Sequence, residues 1–307
     1  MTASHRSPAR PPHREGGVRL QKAMADAGIG ARRDCEEMIT SGRIKVNGRV
    51  VTTLPCFVDP SQDVVKLDDE VIQLPEIVTA SASSGAAATT QARSLVYVLV
   101  NKPKGVITTT RDPEGRRNVL ELLPPALRRE ERLYPVGRLD GDSTGLLLMT
   151  NDGDLAFQLT HPSFGVTKQY RVICAGLASV EQLEQLKRGM YLVTPSADGT
   201  KNSKLASMES VKIVKRFVDR NRGDRTLMSV TLREGQNREI RRMLARVGLK
   251  VRELERVAIG PLRAPDLKPG QAKLLGKRDV DKLREAVLER GSASQPAAGK
   301  RARSKRA

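Results

Sequence analysis

Aromatic residues make up only 3% of this 307-residue chain, and tryptophan is absent. A broad platform for stacking several unpaired bases is thereby excluded, because such platforms need rings to stack them on. Histidine and cysteine are equally sparse, with three of each. His5, His13 and His161 are too scattered to build a metal centre. Cys35, Cys56 and Cys174 form no CxxC or Cys/His pair, and an odd count excludes a fully paired disulfide frame. They are expected to be small core residues of a protein kept in a reducing compartment. No apolar run reaches the length of a membrane span, and the basic N-terminal stretch lacks the apolar core of a signal peptide. Acidic residues are also in deficit, 35 against 54 Lys and Arg, for a formal net charge of +19.

That cationic surplus is the dominant property of the composition. It points to a polyanionic partner, because lysines and arginines release counterions when they meet phosphates. Charged tails on an otherwise ordinary basic enzyme would give the same total. Here, however, basic residues also sit inside periodic segments.

The length suggests about two domains. Residues 1–17, rich in Pro, Arg, His and Gly, read as a disordered basic arm. Residues 80–94, dominated by Ala, Ser and Thr, read as a flexible linker. Residues 291–307 read as a disordered basic tail. Between them lie a small module, 18–79, and a large one, 95–290.

In the small module Leu20, Ala23, Met24 and Ala27 form a helical stripe that Gly28 ends. A second helix turns Cys35, Met38 and Ile39 inward and stops at Gly42. Residues 44–51 read as a hairpin turning at Asn47-Gly48. Arg19, Lys22, Arg32, Arg33, Arg43, Lys45 and Arg49 fall between the apolar positions and are expected to form a basic face.

The large module opens with an apolar strand, Leu95 to Val100, running into Asn101-Lys102-Pro103-Lys104-Gly105. Further strands are expected at Gln169 to Ala175, Ser210 to Val218 and Thr226 to Leu232. Ser179 and Gln182 mark a capping-box helix start, with Leu183 and Leu186 inside. Residues 195–206 are polar and expected to be a loop. Without regular βαβ spacing or a Gly-rich phosphate loop, the mixture predicts an α+β fold with a mainly antiparallel mixed sheet flanked by helices.

Three segments carry candidate chemistry. Gly137 to Gly153 sets Asp140 behind Arg138 and ahead of an apolar run. An aspartate so placed can act as a nucleophile if it is ionised and partly shielded from water. Taken alone, Arg138 and Asp140 also fit an ordinary turn ion pair. Lys168-Gln169-Tyr170 opens a strand whose tyrosine can face a pocket. Glu234 to Leu244 leads into a helix with Ile240, Met243, Leu244 and Val247 inward. Arg241 lies at the border of that face, where it can reach a semi-buried carboxylate, keep it ionised and orient it. Arg238, Arg242 and Arg246 point outward, which suits phosphates or plain solvation.

These segments, with Asn101 to Gly105 before and Val251 to Leu262 after, resemble the RsuA/RluB branch of bacterial pseudouridine synthases. Leu20 to Ala23, Arg32-Arg33 and Ser41 to Gly48 resemble the S4 RNA-binding domain. The resemblance implies uridine isomerisation in ribosomal RNA, 23S favoured over 16S or transfer RNA, by a cytoplasmic bacterial monomer. A non-catalytic RNA-binding or ribosome-assembly factor of the same fold is the alternative. By resemblance, Asp140 is the nucleophile, Tyr170 stacks on the target base and Arg241 pairs with the aspartate. Arg138 is the arginine of the central motif, and Leu254 flanks the pocket. Lys102, Lys168, Asn237, Arg238 and Arg242 are substrate-binding candidates. Gln236 and Arg238 depart from the residues common there, basic and His respectively, which leaves the reaction intact but alters RNA contacts. Isomerisation needs no redox change or energy input, so no cofactor or metal is implied; ribosomal RNA and pre-ribosomal particles are the implied partners. Whether Asp140 attacks the sugar, attacks the base or removes a sugar proton stays open.

Overall fold

A computed structural model describes residues 17–75, 94–130, 132–195, 201–221 and 223–293. The basic arm, almost all of the linker and most of the C-terminal tail lie outside these residues. The chain divides into two compact units, 1–91 and 92–307.

The first unit contains β1 (Val18–Arg19), α1 (Leu20–Asp26), α2 (Arg32–Thr40), β2 (Ile44–Val46), β3 (Arg49–Val51), β4 (Phe57–Val58), β5 (Val65–Leu67) and β6 (Glu70–Ile72). The two helices bury Leu20, Ala23, Met24, Cys35 and Ile39 against Ile44, Val51, Val58 and Val65. Ala27 and Met38 are only half-buried. β2 and β3 turn at Asn47 and Gly48, both left-handed (φ 50° and 77°) as a tight hairpin turn requires. The basic face is smaller than expected. Lys22 pairs with Asp26 at 3.0 Å, Lys45 with Asp69 at 2.5 Å, and Arg43 with Asp68. The reason is tertiary: β5 pairs with β2, so the Asp68-Asp69 turn folds back beside Arg43 and Lys45. Arg19, Arg32, Arg33 and Arg49 stay exposed with no ion pair among the described residues.

The second unit contains β7 (Tyr97–Lys102), α3 (Pro125–Glu130), β8 (Tyr134–Pro135), β9 (Thr144–Thr150), α4 (Gly153–Thr160), β10 (Lys168–Ala175), α5 (Val180–Arg188), β11 (Met190–Pro195), β12 (Lys201–Ala206), β13 (Ser210–Phe217), β14 (Arg225–Leu232), α6 (Glu239–Arg246), β15 (Val251–Ile259), β16 (Ala272–Leu274) and α7 (Lys277–Ala293). An eight-stranded sheet runs β13-β14-β10-β15-β9-β7-β16, with β8 also on β9. Of its pairings only β9 with β15 is parallel, so the fold is the expected α+β type.

The run Leu146 to Met149 has no polar alternation because both faces of β9 are covered. Leu147 and Met149 join a core that includes Val172, Met228, Ile240, Met243 and Leu244. Leu146 and Leu148 join a second core with Leu155, Leu159, Leu283 and Val287 from α4 and α7. α5 starts on the expected capping box: Gln182 Oε1 accepts from Ser179 N at 2.8 Å, and Ser179 Oγ accepts from Gln182 N at 3.3 Å. The free amide of Gln182 then donates to Val247 O at 2.7 Å, tying α5 to the end of α6. All three cysteines are buried, and burial pushes the Cys174 thiol up to about 12.

Two expectations need correction. Residues 201–206 are not loop but strand β12, paired with β11. This hairpin stands outside the main sheet, and its outer positions Tyr191, Val193 and Leu205 are exposed, so no clean inward-outward alternation marks it. α7 also runs through Ala293, into the segment read as tail.

Gly145 is required where it stands. Its φ is +104°, and a Cβ built on it would lie 2.2 Å from Arg256 O and 2.6 Å from Arg256 N. Gly145→Ala therefore forces β9 and β15 apart and should lower stability by about 3–5 kcal/mol in urea titrations. Gly176, at φ +85° with nothing within 4 Å of its built Cβ, should lose only about 1–2 kcal/mol on the same change. Equal losses would refute the packing argument.

Lys102, at the end of β7, is 0% exposed. Its ammonium donates to Val106 O at 2.6 Å and Pro103 O at 3.0 Å, closing the turn after β7. Burial lowers its pKa from 10.5 to about 8, with Arg256 adding to the fall and Asp140 and Asp142 opposing it. Between those two pH values the unfolded chain holds a proton that the folded one has released, so Lys102's contribution to stability rises with pH. Stability of the native protein relative to Lys102→Met should therefore increase from pH 7.5 to 10. A pH-independent difference would contradict a buried, charged Lys102.

Candidate active site

Asp140 sits in the turn that leads into β9. The Thr108 hydroxyl donates to Leu139 O at 2.7 Å and accepts from Leu139 N at 3.2 Å, gripping the preceding residue. Gly105 N donates to Gly141 O at 2.7 Å, and Ser143 N donates to Asp140 O at 3.0 Å. The Asn101 to Gly105 segment and the Gly137 to Gly153 segment are thus joined by hydrogen bonds. Leu139 points into the core, which leaves the Asp140 side chain turned outward and 31% exposed.

Two arginines from the start of α6, almost a hundred residues later in the chain, converge on this turn. Arg238 Nη1 lies 3.2 Å from Asp140 Oδ2 and 3.5 Å from Asp142 Oδ1. Arg241 Nη2 lies 3.1 Å from Asp142 Oδ2 and donates at 3.3 Å to both Asp142 O and Ser143 Oγ. Its Nε is 3.9 Å from Asp140 Oδ2, is buried, and has no hydrogen-bond partner. The Arg241 side chain is 12% exposed against 45% for Arg238. Arg241 therefore occupies the border position expected of it.

Arg238 does not point away into solvent, as helical periodicity suggested. It precedes the helix proper, as the N-cap residue, with a left-handed backbone (φ 48°, ψ 34°). A non-glycine residue held there costs about 1–2 kcal/mol, and the conformation is sustained only by its surroundings. Arg242 is likewise not free. It is half-buried and bonds Val193 O and, at 3.4 Å, Asn237 O, fastening the β11–β12 hairpin to α6. Asn237 and Arg246 are exposed. Gln236 N donates to Glu239 Oε2 at 2.7 Å, and burial raises the pKa of Glu239.

The sheet supplies the rest. Tyr170 on β10 is directly opposite Arg256 on β15, and Arg256 is opposite Gly145 on β9. One row across three strands thus links the tyrosine to the strand that Asp140 leads into. Tyr170 is 8% and Leu254 is 7% exposed, and both share a core with Leu139, Ile240 and Met243. Lys168 donates to Arg233 O at 3.3 Å, and burial with Arg256 nearby lowers its pKa to about 8. Arg138 is exposed, with no partner among the described residues.

Arg256 was missed by reasoning from sequence. Its Nε donates to Leu146 O at 2.6 Å while its Nη2 is buried without a partner. The available signal was its strand register, since Leu254, Arg256 and Ala258 alternate and an arginine among inward positions is unusual. With Lys102 and Lys168 it makes three buried or half-buried cations behind the acidic turn.

Residues 96–246 match the profile of the RNA pseudouridylate synthase family, and residues 18–64 match the S4 domain. A Mycobacterium tuberculosis protein named only as an uncharacterized RNA pseudouridine synthase is 36% identical over 271 residues, covering 88% of this chain and 94% of that one. The Bacillus subtilis ribosomal large subunit pseudouridine synthase B is 34% identical over 273 residues, covering 89% and 98%. A crystal structure of a pseudouridylate synthase superposes with a TM-score of 0.54 at 23% identity, over 87% of this chain and 99% of that one, a likeness of fold. Sequence kinship over nearly the whole chain thus places this protein among the RNA pseudouridine synthases, isomerases that act on uridine in RNA.

Proposed function

We propose that the protein isomerises a uridine of ribosomal RNA, with large-subunit RNA favoured, and that Asp140 is its nucleophile. The observation that carries this reading is the half-exposed Asp140 carboxylate, set in a hydrogen-bonded turn and faced by Arg238 and Arg241. The large-subunit target rests on named relatives such as that of Bacillus subtilis. The surplus of +19 charges and the exposed Arg19, Arg32, Arg33 and Arg49 of the S4 unit suit a structured RNA held through phosphates.

A uridine within RNA hides its glycosidic bond and its C5, so the nucleotide must be flipped out, at a few kcal/mol of lost stacking. Backbone contacts offset that loss, with Arg138 and Asn237 exposed at the site for them. Asp140 promotes breakage of the C1′–N1 bond. The freed uracil rotates, C5 bonds to C1′, the C5 proton leaves to solvent, and N1 takes up a proton, so the product is an isomer of the substrate. Tyr170 and Leu254 form the apolar wall against which the base turns, and Arg241 orients the carboxylate. Lys102, Lys168 and Arg242 support this machinery from behind. The enzyme acts as a cytoplasmic monomer, on free ribosomal RNA or on pre-ribosomal particles. No described helix is long and apolar enough to cross a membrane.

The test is tritium release from ribosomal RNA labelled with [5-³H]uridine, made in cells lacking the enzyme. Asp140→Asn should lower turnover by on the order of 10⁴-fold while leaving RNA affinity within about threefold. Arg241→Met should lower kcat by about 10²-fold with little change in KM. RNA binding without release by the native protein would support a non-catalytic binding factor instead.

A further inference from the structure

Beside the acidic turn, on the solvent side of α6, lies a basin of about 340 Å³ whose lining includes Arg238, Arg241, Ala245, Gly248 and Lys250. No carboxylate lines it. Its floor is low: Ala245 carries only a methyl, and a Cβ built on Gly248 would meet nothing within 4 Å. Lys250 is exposed, and its ammonium has no partner among the described residues. Arg238 stands on the rim between this basin and the acidic turn. Its carboxylate contacts, at 3.2 and 3.5 Å, both run through Nη1. Its other donors make no hydrogen bond among the described residues. A guanidinium fork with spare donors, lining the same basin as an unpaired ammonium, matches a phosphodiester better than a single carboxylate oxygen.

Resting on the functional reading above, we propose that this basin is a phosphodiester subsite for the RNA strand bearing the target uridine. Its occupation draws Arg238 off Asp140 onto the phosphate, leaving Arg241 as the carboxylate's partner. In the RNA-free protein Arg238 covers the nucleophile from a strained backbone; in the complex it contacts the backbone next to the flipped nucleotide. RNA docking and exposure of Asp140 thereby become one event. Arg241 is suited to stay behind, being the more buried of the two and also fastened to Asp142 and Ser143.

Affinity is measured over a salt series in full-length protein with Asp140 intact, using ribosomal RNA already modified by the native enzyme so that no turnover intervenes. kcat and KM are measured in the active protein. Lys250→Gln should weaken binding by roughly 5- to 10-fold and reduce the slope of log K against log salt by about one, and Lys250→Glu should weaken it further. Arg238→Gly relieves the left-handed strain, so the fold is retained, and its loss should fall on KM and the salt slope more than on kcat. Arg238→Lys should recover part of it. Combining Lys250→Gln with Arg238→Gly should weaken binding by less than the product of the two single effects, since both residues hold one phosphate. Unchanged affinity and salt slope in both Lys250 variants would place the RNA elsewhere. A fall of ~100-fold in kcat for Arg238→Gly, with affinity unchanged, would make Arg238 a permanent partner of Asp140. Either result defeats the subsite alone, whereas turnover by Asp140→Asn would defeat the functional reading itself.

Discussion

The close approach of β9 and β15 at Gly145 and Arg256 is the constraint on which the site depends. It is the sole parallel contact in the sheet and spans only two residue pairs. Because Gly145 has no side chain, the backbone of Arg256 can lie where a Cβ would be. That crossing places the start of β9, and the turn before it, beside the strand pair that holds Tyr170 and Leu254. A wider gap would carry Asp140 away from the tyrosine and from the helix that supplies its arginines. The two backbone grips on the turn, by Thr108 and Gly105, act only after this larger placement is made.

Around that turn the charges are arranged in layers. Asp140 and Asp142 face Arg238 and Arg241, while Lys102, Lys168 and Arg256 lie buried or half-buried nearby. Burial alone makes cations unfavourable, as the lowered pKa values of Lys102 and Lys168 reflect. A protein that keeps them there maintains a positive field around a pair of carboxylates. Such a field suits a substrate that is itself a polyanion. The left-handed backbone of Arg238 belongs to the same pattern, since such a conformation in a non-glycine residue persists only where the surrounding contacts hold it.

Much of the fold was legible in the chain. The stripes of α1 and α6 and the capping box of α5 each follow from a local rule, and the uninterrupted apolar run of β9 reflects its burial on both faces. The β11–β12 hairpin was not legible, because its outer face is solvent-exposed and its polar residues look like loop. The basic face of the S4 unit was overcounted for a different reason. Arg43 and Lys45 meet Asp68 and Asp69 only because β5 pairs with β2, which no local pattern announces. Arg238 was misjudged because periodicity presumes helical geometry, and this residue lies at the cap in another conformation.

By itself, then, the sequence determined the residue types at the site, the family, the polyanionic partner and the local elements. Those depend on side-chain chemistry and on spacings of a few residues. The tertiary structure decided which cations are free and which are paired, and that Arg238 rather than Arg241 makes the shorter contact to Asp140. It also decided that Arg242 bonds the β11–β12 hairpin through Val193 O. These outcomes turn on distances between segments far apart in the chain, and such distances are set by strand register and by the one place where a glycine lets two backbones meet.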